Sequence, residues 1–168
     1  MPVTYKKIAS VTVTAAGGSA DIDFQNIPAD YTDIVFHYSL RAVDNIDFGR
    51  IEINGSASNF SSRRLTANGS TASSSSRTDN YLIGFYNPSG ATASTFSNTT
   101  FYFPNYTASA NKSFSADSVT ENNGTTAQQV LFAGLWSNTA AITRIRIVPE
   151  TGNFAQYSTA TLYGISKS

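Results

Sequence analysis

The sequence predicts an all-β fold, a single antiparallel β-sandwich that is jelly-roll-like and has about eight to ten strands. Three observations predict it. Helix formers are scarce, with six Leu, three Glu and four Lys against 20 Ile and Val, 20 Thr and 20 Phe and Tyr, and β-branched and aromatic side chains suit a pleated, half-buried surface. Turn signals recur about every ten residues between short β-branched and aromatic runs. No segment carries the period of an amphipathic helix. A chain of 168 residues and 18.0 kDa fits one domain over residues 1–168.

The first strand is expected at Tyr5–Thr14, closed by Ala15-Ala16-Gly17-Gly18-Ser19, and a short second one at Ala20–Phe24. Ile27-Pro28-Ala29-Asp30-Tyr31 turns the chain into the clearest strand, Thr32–Arg41, where Ile34, Phe36, Tyr38 and Leu40 share one face and Val35, His37, Ser39 and Arg41 the other. Arg50–Ile53 and Asn59–Leu65 read as a hairpin around Asn54-Gly55, a pair that supplies the positive φ of tight turns. Thr66–Asp79 holds four consecutive serines and no aliphatic side chain larger than Ala, and reads as a long polar loop. Further strands are expected at Tyr81–Tyr86, Thr99–Phe103, Lys112–Val119, Gln128–Trp136, Ile142–Val148 and Thr159–Ile165. Gln128–Trp136 differs from the rest. Both its faces are apolar, Val130, Phe132 and Trp136 against Leu131, Ala133 and Leu135, so extended loops or another subunit must cover the outer one.

Eleven basic and eleven acidic residues balance, and 13% charged residues is half the usual share, so nothing electrostatic points to nucleic acid or a membrane surface as partner. Without cysteine, neither a disulfide framework nor a Cys-based zinc site is available. The start, Met-Pro-Val-Thr-Tyr-Lys-Lys, has no apolar stretch after its lysines, and the longest apolar run, Val130–Trp136, is far short of a spanning helix; a soluble chain outside the secretory route is expected. Seven Asn-x-Ser/Thr sequons, at Asn54, Asn59, Asn68, Asn98, Asn105, Asn111 and Asn123, then read as turn chemistry in an Asn- and Ser-rich chain.

No catalytic set, metal site or cofactor is expected. A Ser-His-Asp hydrolase would have to use the single histidine, His37, which sits mid-strand with no nucleophile elbow in the chain. Phosphate-binding glycine motifs are absent. Asp44, Asp47, Asp117 and Glu121 are carboxylates that spacing does not pair, and Asp44-Asn45-Ile46-Asp47 lacks the glycine and distal glutamate of a calcium loop. Tyr81, Tyr86, Tyr102, Tyr106 and Tyr157, with Phe85, could form a sugar platform, against the alternative that such rings fill a Leu-poor core. Arg144 and Arg146 share a strand face, whereas Arg63 and Arg64 point to opposite faces, so that one of the latter must pair, snorkel or meet a neighbour. With Leu131 and Leu135, these arginines are the candidate interface with a second subunit or another protein.

Three stretches together resemble small virion proteins of tailed bacteriophages. They are Ile27-Pro28-Ala29-Asp30-Tyr31-Thr32-Asp33-Ile34 leading to Ser39-Leu40-Arg41, Ile53-Asn54-Gly55 followed by Asn59-Phe60-Ser61-Ser62-Arg63, and a closing set. That set is Thr139–Ile147, then Thr151-Gly152-Asn153-Phe154, then Thr161-Leu162-Tyr163-Gly164-Ile165; Pro104-Asn105-Tyr106 with Lys112 is a less distinctive addition. The resemblance implies a jelly-roll module of virions, used in capsid decoration (cement) and in tail or fibre proteins, and it implies no active site. A first strand beginning near Met1 leaves no room for the anchor or shaft of a fibre, so the expectation is a free-standing cement protein. It would be a homo-oligomer, a trimer by preference, contacting other phage structural proteins such as the major capsid protein. A host glycan is the partner under the tail-fibre alternative, and the location is the virion after synthesis in the host cytoplasm.

Overall fold

The computed structural model describes residues 5–124 and 127–165. Twelve strands lie among them: β1 (Tyr5–Thr12), β2 (Ile22–Phe24), β3 (Asp33–Ser39), β4 (Phe48–Ile53), β5 (Phe60–Ala67), β6 (Ala72–Arg77), β7 (Tyr81–Ile83), β8 (Asn98–Phe103), β9 (Lys112–Val119), β10 (Gln129–Trp136), β11 (Ile145–Pro149) and β12 (Thr159–Ile165). An eight-stranded sheet in the order β1-β12-β3-β8-β9-β10-β5-β6 packs on a four-stranded sheet in the order β2-β11-β4-β7, and every pairing is antiparallel.

The quartets β1-β12-β3-β8 and β2-β11-β4-β7 form an eight-stranded jelly roll whose chain passes repeatedly from one sheet to the other. Two hairpins are inserted into it. β5–β6 leaves between β4 and β7, β9–β10 between β8 and β11, and both add to the β8 edge, doubling one sheet and not the other. These insertions raise the strand count above the eight to ten expected.

Alternation explains the core. In β3, Ile34, Phe36 and Tyr38 point inward and are buried, as the sequence pattern requires, and Leu40 follows just beyond it. Under the extension, aromatic rings carry the interior outward. Phe101 stacks on Phe103 at 6.1 Å, Phe103 on Phe114 at 4.9 Å and Phe114 on Phe132 at 5.9 Å, while Phe85 closes on Phe132 edge-on at 5.5 Å. Gly134 makes this passage possible: directly opposite Phe114 in the ladder, it would place a Cβ 2.3 Å from the Phe114 ring.

Two sequence expectations fail. Arg50–Ile53 and Asn59–Leu65 do not form a hairpin, because β4 belongs to the small sheet and β5 to the large one. Asn54 and Gly55 do adopt positive φ, 52° and 75°. The Asn54 side chain, however, is committed to the approach of β11, accepting from the Thr143 and Arg144 amides and donating to the Ala141 carbonyl, so the turn redirects the chain across the sandwich. Thr66–Asp79 is no loop either. It holds β6, whose backbone pairs with β5 in six unbroken steps although all six side chains are exposed. The turn from β5 into it is capped by the Asn68 carboxamide, which accepts from the Ser70 and Thr71 amides.

The segments behind the family resemblance have structural jobs. Arg41 reaches into the β7–β8 connection and donates to the carbonyls of Ser89, Ala91, Thr92 and Thr95 at 2.8–3.0 Å. Lys112 is buried, with its Nζ on the Ala108, Ala110 and Thr139 carbonyls, and burial lowers its pKa. Gly164 admits the Tyr31 ring, since a Cβ there would lie 2.3 Å from it.

The close fit at Gly134 has a measurable consequence. Gly134→Val should cost about 1–3 kcal/mol by overpacking against Phe114, seen as a lower denaturation midpoint. Gly17→Ala, where no heavy atom lies within 4 Å of the new Cβ, should stay within about 0.5 kcal/mol of the parent; equal losses at both positions would refute the packing role of Gly134.

Candidate functional site

The outer face of the large sheet carries a groove of about 750 Å³ over β9, β10, β5 and β6. Its geometry follows from register. One row across the strands reads His37, Thr100, Asp117, Leu131, Leu65 and Ser74, and the next reads Val35, Tyr102, Ser115, Ala133, Arg63 and Ser76. Leu131 and Leu65 are therefore cross-strand partners at the groove's centre, 51% and 48% exposed. Covering such a pair would be favourable, because each leucine fully buried contributes about 1.5–3 kcal/mol. Among the described residues no loop of the chain buries this pair.

Charge flanks the leucines without being spent. Arg63 donates only to the adjacent Ser62 carbonyl at 2.9 Å, and Asp117 lies one strand beyond Leu131; neither is in an ion pair among the described residues. Leu135 sits half-buried further along the same face of β10. Arg64 points the other way, half-buried on the inner side, where it donates to the Ile83 carbonyl at 3.2 Å and burial lowers its pKa. The opposite-face expectation for Arg63 and Arg64 thus holds, with Arg64 the one that snorkels.

Arg144 and Arg146 are placed far from this groove, on the outer face of the small sheet. Arg144 grips Asp23 with two bonds of 2.8 and 2.7 Å, and Arg146 bridges Asp21 at 2.7 Å and Glu52 at 3.1 Å. Their charge is largely satisfied within the sheet.

The tyrosines do not assemble into one platform. Tyr86, Tyr106 and Phe85 are fully buried, which corrects their assignment to a sugar site; the Tyr86 hydroxyl donates to the Phe48 carbonyl and that of Tyr106 to the Pro28 carbonyl. Burial raises both phenol pKa values. Tyr81 is half-buried between the guanidinium groups of Arg50 and Arg77, 5.9 and 5.2 Å from its ring centre. Tyr157 is 70% exposed at positive φ in a separate loop. Tyr102 lies on the outer face two strands from Tyr163, with Val35 between them. Tyr163 meets Tyr5 at 6.1 Å and His37 at 5.7 Å, and Tyr102 donates to Asp33 at 2.8 Å.

The ionisable groups are dispersed. His37 Nδ1 lies 2.9 Å from Thr100 Oγ1, with Asp117 beyond the threonine rather than on the imidazole. Asp44 accepts from Thr151, Asn45 from the Gly90 amide and Asp47 from Gln128, so the three oxygens of the Asp44–Asp47 turn serve three different partners. Glu121 accepts from the Asn123 amide. No group of three His, Cys, Asp or Glu able to hold a metal occurs among the described residues. Sequence reasoning missed Leu65 and Asp117 as groove residues; the two-residue period running outward from Arg63 was the signal for Leu65, whereas Asp117 needed the register of β9 on β10.

No family model and no curated protein matches the chain. Among solved structures the chain is similar to fructofuranosidase from Schwanniomyces occidentalis complexed with fructose, at 12% identity and a TM-score of 0.38 over 99% of this chain. The match takes in 35% of that chain, so this protein spans about a third of its length. A likeness this shallow fixes neither relationship nor activity.

Acid stability tests the small-sheet ion pairs. The Arg144 guanidinium holds the Asp23 carboxyl below its ordinary value of 3.8, and Arg77 does the same to Asp79. A carboxyl with a lowered folded-state pKa stabilises the fold above its unfolded value and loses that contribution as pH falls through the lowered one. Asp23→Asn should therefore reduce stability at neutral pH and flatten its fall as the pH drops below about 4. Denaturant midpoints measured across that range check it, and an unchanged slope would refute it.

Proposed function

We propose that the protein is a non-enzymatic structural protein of a tailed-phage virion, a cement module that decorates the capsid and binds it as a homo-oligomer. The virion assignment rests on the sequence resemblance. The observation that carries the mode of action is the open leucine pair, Leu65 and Leu131, set in a broad rigid sheet between the uncommitted charges of Arg63 and Asp117. A face built on paired strands is held in fixed geometry by their ladders, which lowers the ordering cost of meeting a partner. The dispersal of His37 and the carboxylates supports a role without turnover. A cyclic trimer is the assembly proposed, with the groove at a contact between protomers or with the major capsid protein.

Among the described residues five arginine–carboxylate contacts bind charge within the chain, which leaves apolar packing and Ser, Thr and Asn hydrogen bonds to dominate adhesion; exposed ion pairs add only about 0–1 kcal/mol each. Particles stripped of the protein and incubated with it should rebind it across the capsid lattice and retain it from about 0.05 to 0.5 M salt. Leu131→Asp should abolish rebinding while the denaturation midpoint stays near that of the parent. Release by salt, or undiminished binding of the variant, would overturn the reading.

The cluster of Tyr5, Tyr163 and His37 favours one second reading, a tail component whose outer sheet face binds host glycan by stacking. Localisation to the tail and release by soluble host glycan would select it.

A further inference from the structure

The same strand that presents Arg63 to the groove sends Arg64 and Thr66 to the other side of the sheet. There β5 and β6 run past the small sheet, and a polar cleft of about 440 Å³ opens between them and the end of β7. Arg64 enters it with one hydrogen bond, to the Ile83 carbonyl, and no carboxylate in ion-pair contact among the described residues. Four more donor hydrogens of its planar fork are unspent. Thr66 Oγ1 is buried there without a hydrogen-bond partner among the described residues. Left so, such a hydroxyl costs about 1–3 kcal/mol, so it can bond a water or a ligand group in the cleft.

Ser73 and Thr71 add hydroxyls to the wall, and Gln128 forms the far side. Gln128 also lines a second recess of about 370 Å³ with Asn45, Asp47 and Thr120, and its Nε2 donates to Asp47 Oδ2 at 3.1 Å. The two recesses thus meet across one side chain, with a cation at one end, a carboxylate at the other, and hydroxyls and carboxamides along the length.

This pattern discriminates among ligands. A planar fork with free donors selects a carboxylate, which it can grip with two parallel bonds. Asp47 opposes a dianion such as phosphate. Hydroxyls and amides in this density match a ligand rich in hydroxyls of its own, and the volume lies in the range of small-molecule sites. We propose that the cleft beneath the β5–β6 hairpin binds a uronic-acid unit, with Arg64 taking its carboxylate and Thr66, Ser73 and Gln128 its ring hydroxyls. The site is independent of where the protein is carried. On a particle it would give the outer surface affinity for acidic polysaccharide, whereas loss of the cleft would leave the leucine face untouched.

Calorimetric titration of the intact protein with D-glucuronate, D-glucose, acetate and inorganic phosphate tests this. Glucuronate should bind in the millimolar range and each of the others about tenfold or more weaker, since each lacks the carboxylate, the hydroxyls or the right charge. Arg64→Gln and, separately, Thr66→Val should each weaken glucuronate, Arg64→Gln by about tenfold or more. Arg63→Gln, on the opposite face, should leave it unchanged. Absence of glucuronate binding, equal binding of acetate or phosphate, or full binding by Arg64→Gln at an unchanged melting temperature would overturn the assignment. Rebinding to stripped particles by these variants reads the leucine face separately.

Discussion

The extension of the large sheet depends on the aromatic rings beneath it. A four-strand overhang would expose both faces and collapse or aggregate unless one face acquired its own interior. Phe101, Phe103, Phe114 and Phe132 supply that interior, each ring 4.9–6.2 Å from the next, and Phe85 ties the row back to the connection after β7. Such pairs contribute about 0.5–1.5 kcal/mol beyond the area they bury. Gly134 sets how closely β10 may approach them. Given that support, β10 can pair along all eight residues on both sides, and β5 and β6 can follow outward as ladders whose own side chains bury little.

What the sequence makes legible is whatever one strand decides alone. Alternation in Thr32–Arg41 identifies the inward residues of β3, and the doubly apolar pattern of Gln128–Trp136 singles out β10. Pairing partners are a different matter. Asn54-Gly55 is locally a tight turn whether its flanks pair with each other or separate, and the choice is made by bonds from Asn54 to residues nearly ninety positions away. β6 is invisible for a related reason. Its serines carry no β-branched or apolar signal, and it is a strand because β5 offers a free backbone edge. The buried positions of Tyr86 and Tyr106 were open to either reading, since a tyrosine with a carbonyl waiting for its hydroxyl enters a core as readily as phenylalanine.

The two sheets treat charge differently. On the small sheet, Asp21, Asp23, Glu52, Arg144 and Arg146 form a closed set across β2, β11 and β4 and their approaches. Those contacts fix three strands and leave little charge to offer a partner. On the large sheet Arg63, Asp117 and Arg64 lack ion-pair partners among the described residues. Arg63 and Asp117 are exposed and solvated by water, and Arg64 is half-buried on the inner side, so the extension carries charge that its own strands do not pair, whereas the small sheet pairs its charge internally.

The edges of the large sheet point the same way. β1 carries exposed Lys6 and Lys7 and a register break between Lys7 and Ala9, both devices that discourage another chain from pairing there. β6 has neither a lysine nor a break, and its one charge, Arg77, is neutralised by Asp79 beside it. A sheet defended at one edge and open at the other is directional. The open edge of β6, the leucine groove and the cleft behind it all fall on the same two inserted hairpins, so variation in β5–β6 and β9–β10 would alter all three surfaces while the eight strands of the jelly roll remained as they are.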